Sequence, residues 1–100
     1  MQIQVMTVSG QTVLYPLGFG EDLEPAFVRA SNKAAAETQS AAENMIVIHN
    51  DGRPVVELEK AFEYGFGGRP EPIISGSPDL IRLAYQAWKI GRDAYDDAGA

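Results

Sequence analysis

This 100-residue chain contains no cysteine, one histidine and one tryptophan. The absence of cysteine excludes a disulfide framework, a thiolate zinc site and a cysteine nucleophile. The longest uninterrupted apolar stretch covers only residues 45–48, so we expect no segment that spans a bilayer. The first ten residues, MQIQVMTVSG, contain no basic segment and no long apolar run. We therefore expect no signal peptide and a cytoplasmic protein.

Basic residues are also scarce, with 8 against 14 acidic residues and a net charge of −6. No basic stripe is present to neutralise phosphates, so we expect no direct binding to duplex nucleic acid. The acidic balance is an ordinary aid to solubility. The alternative interpretation is a surface that attracts a larger protein partner with a basic surface.

Apolar and polar residues alternate near the start of the chain. The alternation predicts strands over 2–8 and 12–15, joined by a turn at 9–10. A predicted helix follows, with Asp22 as its N-cap and Asn44 as its stop. The apolar stripe of this helix is mostly alanine, serine and threonine, which allows close approach to a sheet or to another helix.

The second half begins with an apolar segment, 45–49, that we expect to be the central strand of the sheet because both of its faces are apolar. A turn at 50–52 precedes a predicted return strand over 54–59. Residues 60–66 fit either an extended segment or a helix. Their helix-forming residues favour a short helix that ends at Gly65.

The last helix has the clearest signals in the sequence. Ser77 is its predicted N-cap, Pro78 takes the first helical position and Asp79 follows in the first turn. Together these elements predict a single α+β domain over residues 1–100. The expected sheet is four-stranded and mostly antiparallel, in the order ββα-ββα, with two amphipathic helices packed on one face.

Candidates for catalysis are few. His49 is the only histidine and lies beside a turn, and no serine occupies a G-x-S-x-G motif. Glu57, Glu59 and Glu63 alternate with apolar residues, which favours solvated charges over a desolvated acid–base pair. The aspartates between 93 and 97 are typical of a solvated helix end. We predict no catalytic residue, no metal site and no cofactor, and hence a protein that is not an enzyme.

The most unusual stretch is FEYGFGGRPEPIISGSPDL, residues 62–80, which combines four glycines, three prolines and one arginine. Glycine-rich loops bind phosphate through backbone N–H groups, but neither standard phosphate-loop motif is present and each proline removes a donor. Exposed aromatic residues and Arg69 are instead typical anchors of a protein interface. The candidate binding residues are Tyr64, Phe66, Gly67, Gly68, Arg69, Ser75 and Ser77.

Two functional hypotheses follow. The favoured one is a small acidic, non-enzymatic interaction protein that binds a larger protein and modulates or inhibits it. Its composition is like that of many phage and mobile-element inhibitors, including inhibitors of nucleic-acid-binding complexes, although no residue-level motif is shared. The alternative is a small-molecule or nucleotide-binding protein, as a homo-oligomer, that uses the Gly/Pro/Arg loop 64–77.

Overall fold

The computed structural model describes residues 1–99, which form an α+β structure of three strands and three helices. In chain order these are β1 (Gln2–Thr7), β2 (Thr12–Pro16), α1 (Leu23–Thr38), β3 (Ala42–Ile48), α2 (Val56–Phe66) and α3 (Pro78–Gly99). They fall into two compact units. The first, Met1–Pro54, contains the sheet and α1, and the second begins at Val55 and contains α2 and α3. A single domain over residues 1–100 stays a prediction.

The sheet of the first unit is antiparallel throughout, in the order β2-β1-β3. Alternation places Ile3, Val5 and Thr7 of β1 on one face, and all three are fully buried. The predicted hairpin of β1 and β2 is confirmed, with Ile3 opposite Tyr15. The prediction that 45–49 is central was wrong, because β1 uses one edge for β2 and the other for β3.

Helix α1 packs on the sheet through small side chains. Its buried residues are Leu23, Ala26, Ala30 and Ala34, a spacing of three and four that marks one helix face. Asp22 is the N-cap residue as predicted, but its side chain makes no capping hydrogen bond. The predicted stop at Asn44 was wrong. The helix ends at Thr38, because Gln39 turns into the left-handed region at φ 56° and the chain enters β3 at Ala42.

The predicted fourth strand is not present in the described part of the second unit. Four of the six residues assigned to a return strand over 54–59 lie in α2, and Pro54 forms only an isolated bridge to Ile48. The described chain therefore has three strands and not the order ββα-ββα. The buried residues of α2, Leu58, Ala61 and Gly65, recur at helical spacing. The glutamates between them suit a solvated helix surface as well as a strand, so packing decided between the two. The preference for helix in 60–66 is confirmed.

Two helices on one face of a single sheet were predicted, whereas α1 packs on the sheet and α2 and α3 pack against each other. The start of α3 is confirmed in detail. Pro78 is its first residue, and the Leu80 amide N donates to Ser77 Oγ at 3.2 Å. Within residues 1–99, no helix combines the length and hydropathy needed to cross a membrane.

Candidate binding surface

Two glycines of the 62–80 stretch, Gly67 and Gly68, end α2. Gly68 adopts a left-handed conformation at φ 70°. The Arg69 amide N donates to the Tyr64 carbonyl oxygen at 2.8 Å, and the Gly68 amide N donates to the Gly65 carbonyl oxygen at 3.0 Å. These two bonds form a Schellman motif, in which glycine is favoured at the left-handed position because it has no Cβ. The unusual composition therefore has a structural cause.

The same hydrogen bonds reduce the capacity of this loop to bind an anion. The amide N of Gly67 also donates within the motif, to the Glu63 carbonyl oxygen at 2.8 Å. Three successive N–H groups, those of residues 67–69, are thus satisfied by the helix end, and Pro70 and Pro72 have none. A phosphate cradle requires N–H groups that point away from the protein.

Arg69 joins the end of α2 to the middle of α3. Its guanidinium carbon lies 5.4 Å from the centre of the Tyr64 ring. Its carbonyl oxygen accepts a hydrogen bond of 2.9 Å from Trp88 Nε1. This residue therefore brings an aromatic residue of each helix to one place, although Arg69 and Trp88 are 19 positions apart.

Further aromatic and basic side chains extend this arrangement along α3. The rings of Tyr85 and Trp88 stack with centres 6.0 Å apart. Arg92 lies over the Trp88 ring at 4.9 Å and Lys89 over the Tyr85 ring at 5.6 Å, while Lys60 lies 5.7 Å from the ring of Tyr64. We call this contiguous set the cation–aromatic strip; its members are Lys60, Tyr64, Arg69, Tyr85, Trp88, Lys89 and Arg92. Cation–aromatic contacts of this kind hold long side chains in place at modest gain in stability.

The arginines of the protein differ in their carboxylate partners. Arg29, Arg53 and Arg82 pair with Glu21, Asp51 and Asp79 at 2.9, 2.7 and 2.8 Å. Arg69 has no such ion pair among the described residues, and Arg92 reaches a carboxylate only at 3.7 Å, in Asp93. The arginines of the strip are therefore the ones least neutralised by the chain itself.

The sequence identified part of this surface. It pointed to Tyr64 and Arg69, which lie in the strip, and to Gly67 and Gly68, which end α2 beneath it. Phe66 is 49% exposed and stacks on Phe62, with ring centres 6.2 Å apart. The predicted serines lie elsewhere in the loop: Ser75 is exposed and Ser77 caps α3.

Sequence reasoning missed the α3 half of the strip. Trp88 and Arg92 were not among the candidate binding residues, so their contact was overlooked. The available signal was the spacing of four residues in Lys60–Tyr64, Tyr85–Lys89 and Trp88–Arg92, since such pairs are neighbours on a helix. The four-residue spacing identifies each pair, but it does not join the pairs into one surface.

The residues considered for catalysis are scattered. His49 is exposed, and its carbonyl oxygen accepts the Gly52 amide in a turn. The Arg53 backbone N–H, followed by its guanidinium, holds the pKa of Asp51 below its usual value. Glu57 and Glu59 lie in the first turn of α2, where negative charge is favourable. Among residues 1–99, no three histidine or carboxylate side chains group to hold a metal ion.

Besides Asp51, two more ionisable groups of the first unit have shifted pKa values. The Gly18 backbone N–H, bonded to Glu21 Oε1 at 2.9 Å, lowers the pKa of Glu21, and the nearby Arg29 lowers it further. Burial raises the pKa of Tyr15, and the carboxylate of Glu37, which accepts its hydroxyl at 3.1 Å, raises it further. Both groups act within the first unit and lie outside the strip.

Comparisons with protein-family models, with curated proteins and with solved structures found no match to this chain.

Proposed function

We propose that this protein is a small, non-enzymatic interaction domain that binds a larger protein through the cation–aromatic strip and thereby modulates or inhibits it. The observation that carries this proposal is the contiguity of Tyr64, Arg69 and Trp88 through direct contacts. Tyrosine, tryptophan and arginine are the residue types that dominate the binding energy of protein interfaces. Here they meet at a partly exposed surface formed by two helices.

The secondary-structure elements that carry the strip favour its use as a binding surface. The strip rests on the end of α2, which the Schellman motif holds in place, and on the middle of a 22-residue helix. Side chains that are already ordered before binding lose less conformational entropy when a partner arrives. Arg69 makes contacts through both its carbonyl oxygen and its guanidinium. The strip thus resembles a preformed contact surface.

Binding of a nucleotide by loop 64–77, in a homo-oligomer, is the weaker alternative. The N–H groups of residues 67–69 already donate to α2, which leaves the Arg69 side chain as the principal anion-binding group of residues 67–69. A thermal-shift screen against nucleotides tests this alternative. A nucleotide present at 100 times its Kd is expected to stabilise a true binder by about 2.7 kcal/mol, and we expect no shift.

The direct test of the interaction function is affinity capture from a lysate with the Tyr64→Ala/Arg69→Ala double variant. A matched control removes an exposed aromatic residue and an exposed arginine from the first unit, as Phe19→Ala/Arg53→Ala. We expect the wild type and the control to retain one partner in a defined ratio, measured by native mass spectrometry. The strip variant should lose that partner while its far-UV circular dichroism stays unchanged. Equal capture by both variants would show that the contact lies elsewhere.

A further inference from the structure

We infer that the cation–aromatic strip recognises an acidic segment of its protein partner, one whose aspartate or glutamate carboxylates bind the basic side chains of the strip. This inference rests on the proposed function and assigns the chemistry of the partner. Net charge alone favoured a basic partner. The local arrangement of charges around Arg69 favours the opposite sign.

The first argument is the unused binding capacity of Arg69. Its side-chain N–H groups make no hydrogen bond or ion pair with another described residue, and the guanidinium lies over the Tyr64 ring. By contrast, Arg29 donates to its carboxylate partner through both Nε and Nη2. A guanidinium offers five donors in a fork that matches a carboxylate. Arg69 is exposed and therefore presents a carboxylate-binding group to the outside of the chain.

The second argument is that the neighbouring cations share this property. Lys60 and Lys89 have ring contacts but no carboxylate within salt-bridge distance among the described residues. Arg92 has only its long contact with Asp93. Four basic side chains thus lie over the rings of Tyr64, Tyr85 and Trp88 with little internal neutralisation, in a protein that has more acids than bases. An extended segment with several carboxylates complements such a row of charges.

The overall charge of −6 does not oppose this assignment. At physiological salt the Debye length is about 8 Å, so acidic groups well outside the strip are screened from a ligand that contacts it. The charges that decide binding are those in contact with the ligand. Within the strip these are the two arginines and two lysines, and the one carboxylate paired with them is that of Asp93.

Single-stranded nucleic acid is the other anionic partner that aromatic and basic residues suit, since bases stack on exposed rings. In this strip the ring faces already carry cations: Lys60 and Arg69 lie over Tyr64, and Arg92 lies over Trp88. Stacking of bases would require these side chains to leave the rings. A carboxylate binds the cations where they are, which favours an acidic peptide.

The test uses Trp88, the only tryptophan of the chain, as an intrinsic fluorescent reporter within the strip. The full-length protein is titrated with a glutamate-rich peptide that lacks aromatic residues, with a lysine-rich peptide of equal length and with oligo-dT. We expect a saturable change in Trp88 emission with the glutamate-rich peptide alone, weakened by added salt. Arg69→Gln should weaken this binding about tenfold, whereas Arg53→Gln, its control in the first unit, should leave it unchanged.

A response to the lysine-rich peptide or to oligo-dT instead, or no response to the glutamate-rich peptide, would overturn the inference. The capture experiment separates this result from failure of the proposed function. If Tyr64→Ala/Arg69→Ala abolishes capture of the natural partner while the acidic peptide does not bind, the interaction function stands and the assigned chemistry is wrong. If capture is unaffected by that variant, the proposed function itself is wrong.

Discussion

Gly65 of α2 and Gly91 of α3 bring the backbones of the two helices into direct contact. A Cβ atom at Gly65 would overlap the Trp88 carbonyl oxygen and lie 2.7 Å from the Arg92 amide N. A Cβ atom at Gly91 would overlap the Phe62 carbonyl oxygen and lie 2.9 Å from the Phe66 amide N. Each glycine thus leaves room for the backbone of the opposite helix. The strip depends on this contact, because Trp88 and Arg92 flank the position that meets Gly65.

We expect Gly91→Ala to lower the free energy of unfolding of the second unit by about 2 kcal/mol. Alanine normally gains about 1 kcal/mol over glycine inside a helix, but here the added methyl group meets backbone atoms of α2, so the two helices must shift to accept it. Urea unfolding followed by Trp88 fluorescence measures the change. Gly99→Ala on the same helix is the matched control, since nothing lies within 4 Å of its Cβ position. A Gly91→Ala variant as stable as the control would contradict the close crossing.

Gly68→Ala is expected to destabilise the end of α2 by about 1 kcal/mol, because an L-residue is disfavoured at φ 70°. The new Cβ would also lie 3.3 Å from Tyr95 Cζ. Gly68→Asn should retain more stability than Gly68→Ala, since asparagine tolerates the left-handed region better. Urea unfolding by fluorescence again gives the comparison. If both variants lose the same free energy of unfolding, the cause is crowding against Tyr95 and not the backbone conformation.

Ser77→Ala should cost about 1 kcal/mol by removing the oxygen that accepts the Leu80 amide at the start of α3. Ser77→Asp should keep most of the stability, because aspartate caps helices and its charge is favourable at that end. Ser75→Ala is the neighbouring control and should be nearly neutral, as Ser75 is exposed. Chemical denaturation of the three variants distinguishes a capping role from a general effect of altering the loop.

The first unit should lose stability at alkaline pH through Tyr15, whose pKa burial raises above its ordinary value of 10.0. A raised pKa means that the folded state favours the neutral hydroxyl. The stabilising contribution is therefore complete below pH 10 and is lost as the pH rises through the folded-state pKa. Tyr15→Phe should remove this part of the alkaline loss. At neutral pH it should cost about 1 kcal/mol, from the hydrogen bond to Glu37.

Far-UV circular dichroism during urea unfolding measures both effects of Tyr15→Phe, since the first unit contains no tryptophan. The stabilities of wild type and variant should converge above pH 10, where the wild-type hydroxyl begins to ionise. A constant difference at all pH values would show that Tyr15 does not contribute to the alkaline transition.

Local patterns in the sequence determined several elements by themselves. The alternation of Ile3 and Val5 defined a strand with one buried face, and Ser77-Pro78-Asp79 defined the start of α3. These signals are reliable because each depends on neighbours in the chain: side chains alternate along any strand, and a capping side chain bonds its own helix. Tyr64 and Arg69 could likewise be selected from the sequence as interface types.

Only the tertiary structure decided the remaining features, which join residues far apart in the chain. The segment that begins at Val56 suits either a strand or a helix by itself, and the close approach of the α2 and α3 backbones at Gly65 and Gly91 favours the helix. The strip likewise exists because the carbonyl oxygen of Arg69 meets Trp88, 19 positions away. Such contacts depend on how helices pack, and short-range periodicity carries no information about which residues packing will bring together.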